Sequence, residues 1–211
     1  MKDVIARAGN RPEGVSRTAE MILDVAERLV SSRGYNAVSY ADIATEVGIR
    51  SASIHHHFPS KADLGRALVE RYRTRFQHVL EDIDEEGRDE VSRLEAYLRV
   101  MREAIGDGER LCLCTMLAAD YATLPSTVKE QVTQFADLNE RWLTKVLHSG
   151  AVAGVIRSSA DPGSDARSIY AQAQGAQLTA RSFNDLARFD EAASRIVDSL
   201  RGPKPEFPVI N

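Results

Sequence analysis

Apolar residues recur at steps of three and four along nearly the whole chain, and no segment shows the period of two that a half-buried strand requires. Ala19, Ile22, Leu23, Ala26, Leu29 and Val30 fall on one stripe and Gly34 stands where a C-terminal cap belongs, which predicts a first helix over 17–33. Two short helices follow around Gly48 within 39–58. A fourth starts at Ser60, with Asp63 three residues on in the manner of a capping box, and carries Leu64, Leu68, Tyr72, Phe76 and Val79 to about Asp82. Gly65 near its start is an expected point of easier bending. Val91, Leu94, Leu98, Met101 and Ile105 predict a fifth helix, stopped by Gly106 and Gly108. A sixth over 110–122 ends before Pro125, and a seventh, capped by Ser126 or Thr127, runs to about 148 through Val128, Val132, Phe135, Leu138, Trp142 and Val146. Gly150, Gly154, Pro162 and Gly163 mark the longest interior connection, before closing helices over 165–184 and 190–201. The expected fold class is all-α, with about nine helices. Residues 1–15 lack an apolar period and read as a flexible arm, and 203–211, with three prolines, as a loose tail.

Composition narrows the function. No run of about 18 apolar residues is present and no basic segment leads into an apolar one, so a soluble, cytoplasmic protein with no membrane partner is expected. Cys112 and Cys114, one residue apart, point about 200° from each other on a helix and are expected to be reduced thiols. His55, His56 and His57 are consecutive and diverge by about 100° per step, so they cannot converge on one metal ion; His57 is expected to pack at the start of the fourth helix. With no glycine-rich phosphate loop, no spaced metal ligands and no nucleophile beside a base, neither an enzyme nor a cofactor is expected. The net charge of −4 divides unevenly: residues 1–80 carry 12 basic and 9 acidic side chains, residues 81–211 carry 15 and 22. A mildly basic head on an acidic body directs polyanion binding to the head.

Within that head, Ala44, Gly48 and Ile54 are spaced by four and six. Two helices crossing steeply need a small residue where their axes approach, a glycine to turn the chain and an apolar residue to seal the corner. Ile43, Val47, Ile49 and Phe58 complete a miniature core, leaving Arg50, Ser51, Ser53, His55 and His56 on the outer face, where a recognition helix would meet the major groove.

The run Ser39-Tyr40-Ala41-Asp42-Ile43-Ala44, then Val47-Gly48-Ile49, then Ser53-Ile54-His55-His56-His57-Phe58-Pro59-Ser60-Lys61-Ala62-Asp63-Leu64, closely resembles the DNA-binding head of the TetR family of bacterial transcriptional regulators, over about residues 17–65. The resemblance implies a helix-turn-helix DNA-binding domain over 16–62 and a helical ligand-binding and dimerisation body over 63–202. It also implies a twofold homodimer on double-stranded operator DNA, and repression relieved by a small-molecule effector. Carried over by position, Ser39, Tyr40 and Lys61 would contact phosphate, and Arg50, Ser51, Ala52, Ser53 and His56 would read bases; Arg17 is counted with them as a DNA-binding residue. Two positions depart from the pattern. Arg50 replaces the usual capping serine, leaving either capping by Ser51 or guanine reading by Arg50, and His55 replaces a phosphate-binding tyrosine.

The effector would lie among helices five to eight, with Cys112, Met116, Tyr121, Phe135, Trp142, Tyr170 and Gln174 as candidate wall residues. Ala171, Ala173, Gly175, Ala176 and Ala180, with Ile196, Val197 and Leu200, are the candidate dimer stripe. An alternative reading makes the protein a repressor that senses electrophiles or oxidants through Cys112 and Cys114, with Arg110 close in sequence.

Overall fold

Ser16 accepts a hydrogen bond from the Ala19 amide and starts α1, Arg17–Arg33, the first element of a computed structural model that describes residues 16–157 and 159–201. The expected arm and tail lie outside the described residues. The helices that follow are α2 Tyr40–Val47, α3 Ser51–His57, α4 Lys61–Glu85, α5 Glu90–Glu103, α6 Leu113–Ala119, α7 Ser126–Val152, α8 Pro162–Ser182 and α9 Ala187–Leu200. A 3-10 turn, Tyr121–Thr123, lies between α6 and α7. Among the described residues the only non-helical pairing is an isolated bridge between Ile156 and Arg201, and no helix is long and apolar enough to cross a membrane.

The first three helices enclose a core of Ile22, Leu23, Ala26, Leu29, Ile43 and Ile54, and Leu64 and Leu68 of α4 extend it. α4 then runs into the body, where it packs on α7; α8 lies against both α7 and α9, and α5 fills the space between α7 and α9.

Several boundaries differ from the expected ones, some for tertiary and some for local reasons. α6 is shorter at both ends: the Leu111 amide donates to Ser31 O (3.0 Å), and Asp120 leaves the helix to accept from the Tyr35 amide (2.8 Å). α7 starts directly after Pro125 with no side-chain cap from Ser126 or Thr127. It also continues through Gly150, because Ile156 folds back over that residue and leaves no room for a Cβ (2.6 Å to Ile156 Cδ1). α8 begins three residues early, with Asp161 as N-cap and Pro162 in the first turn, an arrangement proline favours. At Gly65 a Cβ would stand 2.9 Å from both Tyr35 and Val128, so the glycine permits close packing of α4 between head and body.

Candidate nucleic-acid interface and interior cluster of the body

Both helices flanking the exposed face of the head are fixed by capping boxes. Ser39 accepts from the Asp42 amide while Asp42 accepts from the Ser39 amide, and Ser60 and Asp63 repeat the device at α4. The Ser39 hydrogen bonds also hold the Asp42 carboxyl below its ordinary range. Between α2 and α3 the chain turns at Gly48 (φ 76°, ψ 34°), a left-handed conformation that a side chain would strain, and the Gly48 amide caps Ala44 O at 2.9 Å. Ile54 is fully buried against α1 and α2, which fixes the outward face of α3.

That face presents the sequence-predicted residues. Arg50, Ser51, Ala52, His55 and His56 are exposed and Ser53 is half-buried. Arg50 is the N-cap of α3, with extended backbone and no side-chain cap bond, so neither it nor Ser51 caps the helix; the guanidinium is left free to reach outward. His55 is braced, its Nδ1 3.3 Å from Pro59 O and its ring 4.7 Å from that of Tyr40. The Tyr40 hydroxyl donates to Phe58 O (2.8 Å), and burial pushes its pKa up to about 12. Lys61 sits with its ammonium 4.6 Å above the Tyr35 ring, while the Tyr35 hydroxyl donates to Lys61 O. Partial burial lowers the Lys61 pKa, opposed by Asp120 and Asp42. Arg17 is exposed on the first turn of α1, and His57 is half-buried beside Phe58 at the entry to α4.

The candidate wall residues of the body divide. Cys112, Phe135, Trp142 and Tyr170 are buried and belong to one cluster; Gln174 is half-buried on α8, one turn on from Tyr170. Met116 is half-buried near the outer edge of α6, its sulfur 4.0 Å from Arg181 Nη1. Tyr121 is not part of the cluster: it is 44% exposed on the 3-10 turn, beneath Lys129. Sequence reading missed Tyr72, Phe76, Tyr97, Thr115, Asn139 and Gln177 as members. Tyr72 and Phe76 looked like ordinary stripe residues, whereas Asn139 and Gln177 carried a usable signal as amides at apolar-periodic positions.

In this cluster Phe135 meets Tyr72 (5.5 Å) and Phe76 (4.9 Å), and Tyr97 stacks on Trp142 (5.6 Å, 23°). The Tyr97 hydroxyl donates to Asn139 Oδ1 (2.9 Å), whose amide donates to Phe135 O. Thr115 donates to Gln177 Oε1, and Gln177 donates to Met101 O. Trp142 Nε1 is buried without an acceptor among the described residues, a deficit that typically costs about 1–3 kcal/mol. Burial raises the pKa of Tyr72, Tyr97, Tyr170 and Cys114. Cys112 and Cys114 are each 1% exposed, and Cys112 Sγ lies 3.3 Å from the Tyr72 hydroxyl. Neither thiol has the exposure that reactivity toward electrophiles requires, and Cys114 also lacks the acidity.

The expected dimer stripe also divides. Ala173, Ala176, Ala180, Ile196 and Val197 are buried within the chain and Leu200 is half-buried, whereas Ala171 and Gly175 remain exposed, and Leu178, outside the expected stripe, is exposed on the same side of α8.

The profile described as "Bacterial regulatory proteins, tetR family" matches residues 22–68. A TetR-family transcriptional regulator of Agrobacterium tumefaciens is 35% identical and superposes with a TM-score of 0.84, covering 88% of this chain and 98% of that one. A TetR transcriptional regulator of Legionella pneumophila is 31% identical with a TM-score of 0.81, covering 89% of this chain and all of that one. Among curated proteins, the HTH-type transcriptional repressor KstR2 of Rhodococcus jostii is 28% identical over 163 residues, 75% of this chain and 74% of its own.

Proposed function

The chain belongs to the TetR family of bacterial regulatory proteins and is a DNA-binding transcriptional regulator; from that premise we propose that it represses as a homodimer on an inverted-repeat operator and is released by a small uncharged effector held in the body. The observation that carries the DNA-binding part is the outer face of α3, where Arg50, Ser51, Ala52 and His56 stand exposed while Ile54 is locked inward. Ser39, Tyr40, Lys61 and Arg17 serve as phosphate contacts, and Arg50, Ser51, Ala52, Ser53 and His56 as base contacts. His55 braces the turn between α3 and α4 instead of replacing the family tyrosine on phosphate. The division into a head over 16–62 and a body over 63–202 is retained as the working one.

Two heads are needed for a twofold operator. The exposed Ala171, Gly175 and Leu178 at helical spacing on α8, with Phe183 (62% exposed) just beyond, support dimerisation through that side of the body. The effector reading is supported by the interior cluster of aromatic and amide side chains and its unpaired indole donor.

Selection from a random-sequence duplex library by the purified protein tests the proposal. An enriched inverted repeat with half-sites about one DNA turn apart is expected. Enrichment of single, unpaired half-sites, together with a monomer in sedimentation, would overturn the dimeric reading.

A further inference from the structure

We propose that the effector of this protein is an uncharged aromatic molecule bearing a carbonyl or ether oxygen, and that the oxygen accepts the hydrogen bond of Trp142 Nε1. The inference rests on the reading of the body as an effector site and names the chemistry which that site selects.

The cluster is shaped for flat, apolar surface. Five aromatic rings from α4, α5 and α7 meet there, those of Tyr72, Phe76, Tyr97, Phe135 and Trp142, and Tyr170 of α8 is buried in the same core. Its polar groups are neutral, and most have a partner: Tyr97 with Asn139, Thr115 with Gln177, Tyr72 with Cys112. Trp142 is not paired: it is 8% exposed, with a buried N–H that no atom among the described residues accepts. A native interior seldom leaves such a donor orphaned, and those left unpaired commonly mark the place of a missing partner. A neutral acceptor matches both the donor and the surroundings, since burying an ion would incur a desolvation cost that this cluster does not offset.

Two charged side chains, Glu27 and Arg73, act on the cluster at Cys114, but they are of opposite sign and both remain partly exposed. Glu27 is already engaged by Arg71 and Arg75. Arg73, whose Nε is buried without a partner, is the group through which a carboxylate would instead be held. Its sign makes the anion the natural competitor in a test.

The cluster is closed in this structure, so admission requires a wall to give. α6 is the weakest: seven residues without a side-chain cap, joined to α5 by a turn through Gly106 and Gly108, both at positive φ. It presents Cys112 and Thr115 to the cluster, and its displacement opens the side facing Phe135 and Gln177.

The experiment uses four naphthyl probes that differ at one substituent: acetylnaphthalene, naphthalene, naphthoate and naphthylmethylammonium. Binding to the full-length protein is read by calorimetry, and the state of the donor by the indole N–H resonance, which is unique because the chain has one tryptophan. Acetylnaphthalene is expected to bind tighter than naphthalene by roughly 3- to 10-fold and to move the indole proton downfield, the two ions binding least. In Trp142→Phe the preference for acetylnaphthalene over naphthalene should collapse towards one. Preference for naphthoate would overturn the proposed class while leaving the effector site standing, and binding of no probe, or binding without an indole shift, would overturn it as well. If acetylnaphthalene binds with the indole shift yet operator affinity stays the same, the class holds and the reading of the site as an inducer site fails. The comparison among probes in the parent protein needs no variant to fold.

Discussion

Arg50 occupies the first non-helical position before α3, where a short hydroxyl or carboxamide side chain would ordinarily accept from the helix amides. Leaving that cap unmade costs local stability, and what the site gains is a free guanidinium at the lip of the recognition helix. Arg50→Ser should therefore raise stability by about 1 kcal/mol in chemical denaturation while weakening operator binding, so that the two quantities move in opposite directions. A base-reading role and a phosphate role separate by salt: Lys61→Ala should weaken all duplexes and flatten the salt slope by about one phosphate, whereas Arg50→Ala should relax preference at one operator position. Uniform weakening by Arg50→Ala would move Arg50 to the phosphate class. The thiols give a third test at this scale. With Cys112 and Cys114 sealed in the interior, a thiol reagent should label them only on unfolding, and operator binding by the Cys112→Ser, Cys114→Ser double variant should respond to electrophiles as the parent protein does. The outer residues of α3 were legible in the sequence because a seven-residue helix with one buried aliphatic has little freedom in what it exposes. The body cluster was less legible. Tyr121 and Phe135 are both aromatic residues in stretches that read as helical, and the early end of α6, beside the bond from the Tyr35 amide to Asp120, leaves Tyr121 at the surface.

At the scale of elements, the capped start of α4 and the start of α1 were read correctly, whereas Ser39 with Asp42, and Asp161 with Pro162, carried local signals that went unread. α6 and α7 end where Ser31, Tyr35 and Ile156 dictate, and these lie far away in sequence or fold back from a loop. Gly65 shows how much rests on such contacts. Helix propensity alone favours Gly65→Ala by about 1 kcal/mol. The new methyl, however, would press on Tyr35, pinned through its hydroxyl to Lys61 O, and on Val128, which is fully buried. Overpacking of this kind costs about 1–3 kcal/mol, so a net loss of about 1 kcal/mol in chemical denaturation is expected. A rise in the unfolding midpoint would mean that α4 and the head yield to each other, and that the joint between them is soft.

At the scale of the molecule, the question is how a molecule in the body can reach the head. α4 is one link, running from Lys61 into the cluster through Tyr72 and Phe76. A second link is made at the C-terminal end of α1, whose free carbonyls are taken up by the body: Ser31 O by the Leu111 amide (3.0 Å) and Ser32 O by Arg181 Nη2 of α8 (2.6 Å). Beside them Asp120 holds the Tyr35 amide and Thr123 accepts from Asn36 (2.7 Å). Every one of these body groups lies at an end of α6 or on α8, so a displacement of α6 by an occupant of the cluster is felt directly by α1. An effector releases DNA only in so far as it prefers the arrangement in which the heads are wrongly spaced, and a coupling of about 1–3 kcal/mol corresponds to roughly 5- to 150-fold in affinity. Arg181→Ala leaves the aromatic cluster and the outer face of α3 intact while removing one bond of the α1 link. It should therefore preserve operator binding without effector and reduce the factor by which effector lowers it. The same reduced factor should appear when operator DNA weakens effector binding, because coupling free energies are reciprocal. The measurement is operator affinity by fluorescence anisotropy with and without saturating effector, for the parent protein and the variant. An unchanged factor in Arg181→Ala would show that α4 alone transmits, and that the bonds at the end of α1 hold the head in place without informing it.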